Sequence, residues 1–396
     1  MKTIKEIIFP ILYEENNVGQ IRYINLPRFY NLSDMLDAIE EFNKMGGAID
    51  NTSITFIATT LEGYRTSILK GFHTYYLYDM LDFTDTFYYV KGNKTTINTK
   101  VIIESTDMIT KDLVSKIFDT LPPYSTLYAI YDSVIPRRYK TDNDELLHYR
   151  SDKGYVEKIK GDKRILSSNI NNLLNKIRTH NMNLPKLLID GTDNGNVVMK
   201  EISMIKLSEI LDLSVPIITP HITLIKDLNN EIRDYLNING NKVERTYLPH
   251  NDEWLVTHGP SECYCVETQQ TYCLPIGYRF KCKRSNVHEG VCEVFFDLER
   301  PDGNIYECSI NCAVPYFEYL ATGDTTIQHT PGTFKVYYGY VIPSYTSTDN
   351  TYDDIMVIYD PNVDNVKEDL YTAILPARRK VTIYYGSKMI LNNIHY

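Results

Sequence analysis

Residues 291 to 312 leave the chain little conformational choice. Cys292, Val294, Phe296 and Leu298 alternate with Glu293 and Asp297, and Tyr306, Cys308, Ile310 and Cys312 alternate with Glu307, Ser309 and Asn311. A period of two is the mark of a strand with one apolar face, and both strands here turn their even-numbered residues inward. Residues paired across a ladder share a face, so partners sum to an even number and the connecting loop has an odd length. Pro301-Asp302-Gly303 meets that demand, with proline opening a type I turn and glycine taking the left-handed position. The predicted register pairs Arg300 with Asn304, Leu298 with Tyr306, Phe296 with Cys308, Val294 with Ile310 and Cys292 with Cys312.

This register puts three of the seven cysteines in apolar rows. Without a secretion signal, such thiols are expected to be reduced and packed in a core. A zinc site built from Cys263, Cys265, Cys273, Cys282, His288 and Cys292 has enough ligands but lacks the paired C-x₂₋₄-C knuckles of zinc ribbons. Oxygen-rich loops at 190–196 and 360–369 raise calcium as a candidate. Aligning Asp360, Asn362 and Asp364 with an EF-hand puts Asn365 where glycine is needed and Tyr371 where a bidentate glutamate belongs. No metal ligand, cofactor site or catalytic residue is therefore assigned, and no cofactor is expected.

The chain has 396 residues, a length for two or three domains. A net charge of -10 argues against a surface that neutralises phosphate throughout. The opening MKTIKEIIFPILYEENN is interrupted by Pro10 and followed by Glu14 and Glu15, unlike a signal peptide. No stretch reaches the apolar length of a membrane-spanning helix, so a soluble intracellular product, or one assembled inside a cell, is expected. Tyrosine is abundant, 33 residues against one tryptophan, and only eight residues are alanine. AT-rich codons account for part of that bias, and the use of tyrosine at core edges and interfaces for the rest.

Along the chain, Ser33 caps a helix with Met35, Leu36, Ile39 and Phe42 on one face, stopped at Gly46-Gly47. Strand-like runs follow at 53–59, 85–90 and 99–105, then a helix from Thr110 carrying Leu113, Val114, Ile117 and Phe118, then a buried strand at 125–135. Ile170, Leu173, Leu174 and Ile177 stripe a third helix, 186–202 reads as a hairpin, and another helix covers about 222–236. Beyond Pro275 the texture is short strands and turns, with Phe334, Val336, Tyr338, Tyr340 and Ile342 alternating in one predicted strand. The expected fold class is α+β: N-terminal α+β units followed by a C-terminal antiparallel β-sandwich of immunoglobulin-like type. The expected domains are 1–150, 151–260 and 261–396.

There is no glycine-rich phosphate loop, G-x-S-x-G elbow or H-E-x-x-H. His250, Asp252, Glu253, His258 and Glu262 gather around Trp254 and offer the residue types of general acid and base chemistry. Arg279-Lys281-Lys283-Arg284 and Arg378-Arg379-Lys380 form basic strips able to meet an acidic partner or, locally, a nucleic-acid backbone.

The runs FDLERPDGNIYECSI, HTPGTFKVYYGYVI and DDIMVIYDP in the C-terminal third resemble the immunoglobulin-like modules attached to tailed-phage virion proteins. That resemblance implies a virion structural protein (a capsid accessory, connector, tail or baseplate component) assembled in the host cytoplasm. It would act by protein-protein assembly rather than turnover, as a homo-oligomer among other virion proteins. No membrane is implied, and nucleic acid is disfavoured except by local contact. The alternatives are an enzyme with an inter-domain cleft near 250–262, and a glycan-binding module.

Overall fold

The computed structural model describes residues 2–13, 20–26, 32–46, 54–83, 88–91, 98–106, 109–132, 159–160, 168–179, 195–201, 214–239, 248–257, 261–314, 317, 336–347, 350–359 and 366–385. Its first sheet is wholly parallel. Strands β2 (Gln20–Asn25), β3 (Ile54–Ala58), β4 (His73–Tyr76), β7 (Lys100–Ile103) and β8 (Thr126–Tyr131) lie in the order β2-β8-β7-β3-β4. Helices α1 (Ile4–Tyr13) and α2 (Leu32–Met45) bring Ile8, Leu12, Met35, Leu36 and Ile39 against Phe56, Ile102 and Tyr128. On the opposite face, helix α4 (Lys111–Asp119) packs Leu113, Val114 and Ile117 against Val101, Ile103 and Leu127. Thr110 caps α4, accepting from the Leu113 amide at 3.2 Å. Helix α3 (Leu61–Leu69) joins β3 to β4. A two-residue parallel pair, β1 (Lys2–Thr3) with β9 (Ile159–Lys160), and a short antiparallel pair, β5 (Leu81–Phe83) with β6 (Tyr88–Val90), complete this part.

A second parallel sheet holds β10 (Val197–Glu201), β11 (Ile217–Thr219), β20 (Val341–Pro343), β21 (Tyr352–Tyr359) and β22 (Ala377–Tyr385), ordered β10-β22-β21-β11-β20. Helices α5 (Ser168–Thr179) and α7 (Val366–Ile374) cover one face with Ile170, Leu174, Leu370 and Tyr371. Helix α6 (Ile222–Asn239) packs Ile225, Leu228 and Ile232 into the core that holds Ile217, Ile342 and Ile358.

Antiparallel strands interrupt the second sheet between β11 and β20. Strands β12 (Trp254–Thr257), β15 (Arg279–Lys281) and β19 (Val336–Tyr338) form a sheet ordered β15-β12-β19. Strands β13 (Ser261–Cys265), β14 (Gln270–Leu274), β16 (Arg284–His288), β17 (Val291–Glu299) and β18 (Ile305–Ala313) form another, ordered β14-β13-β18-β17-β16. The β17–β18 hairpin has the register its alternation demands, from Leu298 opposite Tyr306 to Cys292 opposite Cys312. The Arg300 amide donates to Asn304 O at 2.9 Å, and Gly303 has φ +83°. Phe296 is fully buried with its ring 4.1 Å from that of Phe280, a burial that stabilises by about 1.5–3 kcal/mol. All seven cysteines are buried and unbridged.

The expected fold class is corrected twice. The N-terminal strands form a parallel sheet covered on both faces rather than an α+β unit, so β3 and β8 are buried at every position and read as continuous apolar runs. Among the described residues the C-terminal strands are not an immunoglobulin-like sandwich, because β20 and β21 pair in parallel with β11, and β22 in parallel with β21 and β10. The single strand expected at 333–342 is two. Val336–Tyr338 joins β12, Val341–Pro343 joins β11, and Gly339 passes between them where a Cβ would lie 2.8 Å from the Leu255 backbone. The hairpin expected at 186–202 is replaced over its described residues by β10 paired with β22, while 186–194 lie outside the described residues. No helix among the described residues is long and apolar enough to cross a membrane.

Candidate functional site

The group expected around Trp254 is divided by a tight turn. Asp252 takes φ +67°, its amide donates to Cys282 O at 2.7 Å, and the chain enters β12 with His250 and Asp252 exposed but Glu253 buried. Glu253 is fully engaged. It accepts from both Nε and a terminal nitrogen of Arg233 and from the His250 amide at 2.8 Å. Arg233 also donates to Leu248 O at 3.0 Å and lies 3.9 Å from the Tyr338 ring centroid. Both partners are 7% exposed, so this is a structural ion pair fastening α6 to β12, not a free general base. His258 lies outside the described residues, and Glu262 is on β13 opposite Cys273.

Trp254 instead meets the basic strip. The β12–β15 register sets Trp254 opposite Lys281 and Val256 opposite Arg279, which puts the three long side chains on one sheet face. The Arg279 guanidinium lies 3.8 Å from the indole centroid and the Lys281 ammonium 5.3 Å from it. Arg279 is anchored by donating to Gly339 O at 2.8 Å, and burial lowers its pKa to about 10. Lys281 is exposed. The rest of the strip is neutralised: Lys283 pairs with Asp297 at 2.9 Å and Arg284 with Glu307 at 2.6 Å. Sequence reading found both the tryptophan and the strip, but not that β12 and β15 pair.

A second cluster sits at the C-terminal edge of the first sheet. Glu104, just past β7 and 5% exposed, accepts from the amides of Thr59 at 2.9 Å and Thr60 at 3.1 Å, and from the Thr60 hydroxyl at 3.0 Å. Thr60 caps α3, accepting from the Gly63 amide at 2.9 Å. The electropositive start of α3 is thus filled by the chain's own carboxylate. A Cβ at Gly63 would lie 2.3 Å from that carboxylate, which is why a glycine stands there. Asp132, just past β8, accepts from the Tyr371 hydroxyl of α7 at 2.6 Å, and Arg378 at the start of β22 is 3.9 Å from Glu62. These two contacts bring the second sheet's elements onto the edge of the first. The sequence signal was an apolar run, Val101-Ile102-Ile103, followed directly by an acid, Glu104.

No protein-family model and no curated protein matches the chain. Solved structures do match along its length. A Bacteroides Pif1 helicase in complex with ADP-AlF3 and ssDNA is 13% identical with a TM-score of 0.47, over 99% of this chain and 94% of that one. The Pif1 helicase from Candida albicans is 10% identical with a TM-score of 0.42, over 99% and 98%.

The solved structures that match are of helicases, and the virion reading is corrected on the fold itself, since the strands β20 and β21 that it assigned to an immunoglobulin-like module pair in parallel with β11. The resemblance to tailed-phage virion proteins, assembly into a capsid, connector, tail or baseplate, the homo-oligomer among virion partners and the location in a virion are all corrected. The preference for a non-enzyme and the disfavouring of nucleic acid as a partner fall with them. The physical reasons lie in the fold. Of the runs that suggested a sandwich, Val341–Pro343 and Tyr352–Tyr359 belong to a parallel sheet, and part of the abundant tyrosine is core rather than interface, with Tyr76, Tyr78, Tyr337 and Tyr338 buried.

Proposed function

We propose that the chain binds single-stranded nucleic acid, with Trp254, Arg279 and Lys281 as one contact surface. One observation carries this reading: the sole tryptophan lies beside two cations on one sheet face. Single-strand binders combine these chemistries, cations for backbone phosphates and aromatic or guanidinium planes for bases. An overall charge of -10 does not oppose it, since phosphate is met locally and the acids beside Lys283 and Arg284 are already paired. Because Trp254 is the only tryptophan, its fluorescence reports on the site alone. A single-stranded oligonucleotide is expected to quench it saturably. Lys281→Ala is expected to weaken binding and to reduce the slope of log K against log salt by about 0.7, the share of one phosphate contact. Emission and anisotropy of a labelled strand that both stay unchanged would sink the reading.

A second reading, turnover between the two parallel sheets, is favoured by the approach of Arg378 to Glu62 next to the buried carboxylates of Glu104 and Asp132. An arginine brought from the opposing unit to the edge of a parallel sheet is one element of phosphoryl transfer. Nucleoside triphosphate hydrolysis with magnesium, stimulated by a single strand and abolished in Arg378→Ala, is its test.

A further inference from the structure

A cavity of about 340 Å³ lies between α3, β4, the 3₁₀ turn Leu77–Asp79 and β6. Its aromatic wall is Tyr64, Tyr75 and Tyr76, and its polar groups include Asp79 and Lys91. The Tyr64 and Tyr76 rings meet edge to face, 6.2 Å apart and 71° inclined, and His73 backs the Tyr75 ring at 5.0 Å. These contacts hold the wall in shape, while Tyr64 and Tyr75 stay only half-buried. Asp79 gives one oxygen, Oδ1, to Arg300, and its side chain is 41% exposed. A carboxylate has about four lone-pair sites, so it keeps capacity to accept from a ligand. Its charge is felt inside the cavity, where burial first and Asp79 second raise the Tyr64 pKa. Lys91 stands 3.6 Å from Asp82 and is 39% exposed.

We infer that this cavity takes one amine-bearing nucleobase of a bound single strand. This rests on the strand-binding reading. The space is enough for one base and falls at the small end of ligand pockets. Tyrosine rings supply the stacking surface that single bases use. The carboxylate accepts from an exocyclic amine, and cytosine, adenine and guanine carry one. Uracil presents a carbonyl at the amine's position and has only its single N3–H to donate on that edge. Lys91 is a cation for the adjoining phosphate.

The test compares 12-nucleotide oligo(dC) and oligo(dU), which differ at each base by an exocyclic amine beside an acceptor N3 against a carbonyl beside an N3–H, binding the full-length chain. Fluorescein anisotropy is expected to give roughly tenfold tighter binding of oligo(dC), the margin of one hydrogen bond to a charged acceptor. Asp79→Asn should remove the preference, Tyr75→Leu should weaken both strands, and Tyr75→Phe should leave both near the parent value. Equal binding of the two strands, indifferent to Tyr75→Leu while Trp254 is still quenched, would overturn the base pocket and leave strand binding standing. Binding of neither strand would overturn both.

Discussion

A thiol on an apolar strand face has little to gain by ionising. Burial pushes Cys273 and Cys282 up to about 12 and Cys292 to about 11, from an ordinary 9.0. Cys273 also donates to Leu81 O at 3.4 Å, a bond the thiolate cannot make. The sign of the linkage follows. Between about pH 9 and 12 the unfolded chain has released these protons and the folded chain still holds them, so stability falls as pH rises through this window. It is fully present below pH 9. The limiting slope is about 1.4 kcal/mol per pH unit for each such thiol. Urea midpoints measured from pH 8 to 10.5 should decline steadily above pH 9. At pH 8 a thiol-specific disulfide reagent should find few reactive groups until denaturant is added, and prompt reaction in the native state would refute the burial argument. Reading these cysteines as core packing needed only the alternation of their strand, a local property. Recognising that Glu253 is spent on Arg233 needed a contact between α6 and β12, which no local pattern encodes.

At the scale of elements, what was legible in the sequence is what closes on itself. The β17–β18 hairpin joins strands through three residues, so parity and turn chemistry fix its register. The amphipathic helices α2, α4, α5 and α6 announce themselves by period. Parallel strands do not announce their partners. Strand β10 pairs with β22, nearly the whole second half of the chain away, and strands buried on both faces lose the alternation that would orient them. The insertion of two antiparallel sheets between β11 and β20 then gives a local texture of strands and turns that suggests a separate sandwich. The candidate site was half legible for the same reason: Trp254 and Arg279 are visible separately, and their contact depends on the β12–β15 register. The hairpin also permits a direct test of its turn. Gly303 has φ +83°, and a Cβ added there would have nothing within 4 Å, so Gly303→Ala meets backbone strain and no clash. The expected loss is about 1–2 kcal/mol by urea unfolding, with register preserved. A neutral Gly303→Ala would mean that the turn is not left-handed in solution.

On the scale of the whole molecule, Arg300 sits at the centre of a joint that, among the described residues, ties the first parallel sheet to the inserted antiparallel sheet. Its guanidinium bonds Asp79 of the 3₁₀ turn and lies 3.8 Å from the Tyr272 ring centroid on β14. From the other side, Arg65 of α3 donates to Glu299 at 2.7 Å and to Arg300 O at 3.1 Å. The Arg300 side chain is 11% exposed, but Asp79 at 41% still meets water. The joint is therefore worth less than the 3–5 kcal/mol lost when a fully buried pair is broken, and more than a surface pair. Arg300→Ala is expected to cost about 1–3 kcal/mol. The loss should be local: amide exchange should quicken in residues 77–83, 270–274 and 298–306, while β21 and β22, in the core of the second sheet, keep their protection. Arg300→Lys, which retains charge without the planar face, should recover only part of the difference. Uniform acceleration across both parallel sheets would show instead that the molecule unfolds as one unit and that this joint is not a boundary.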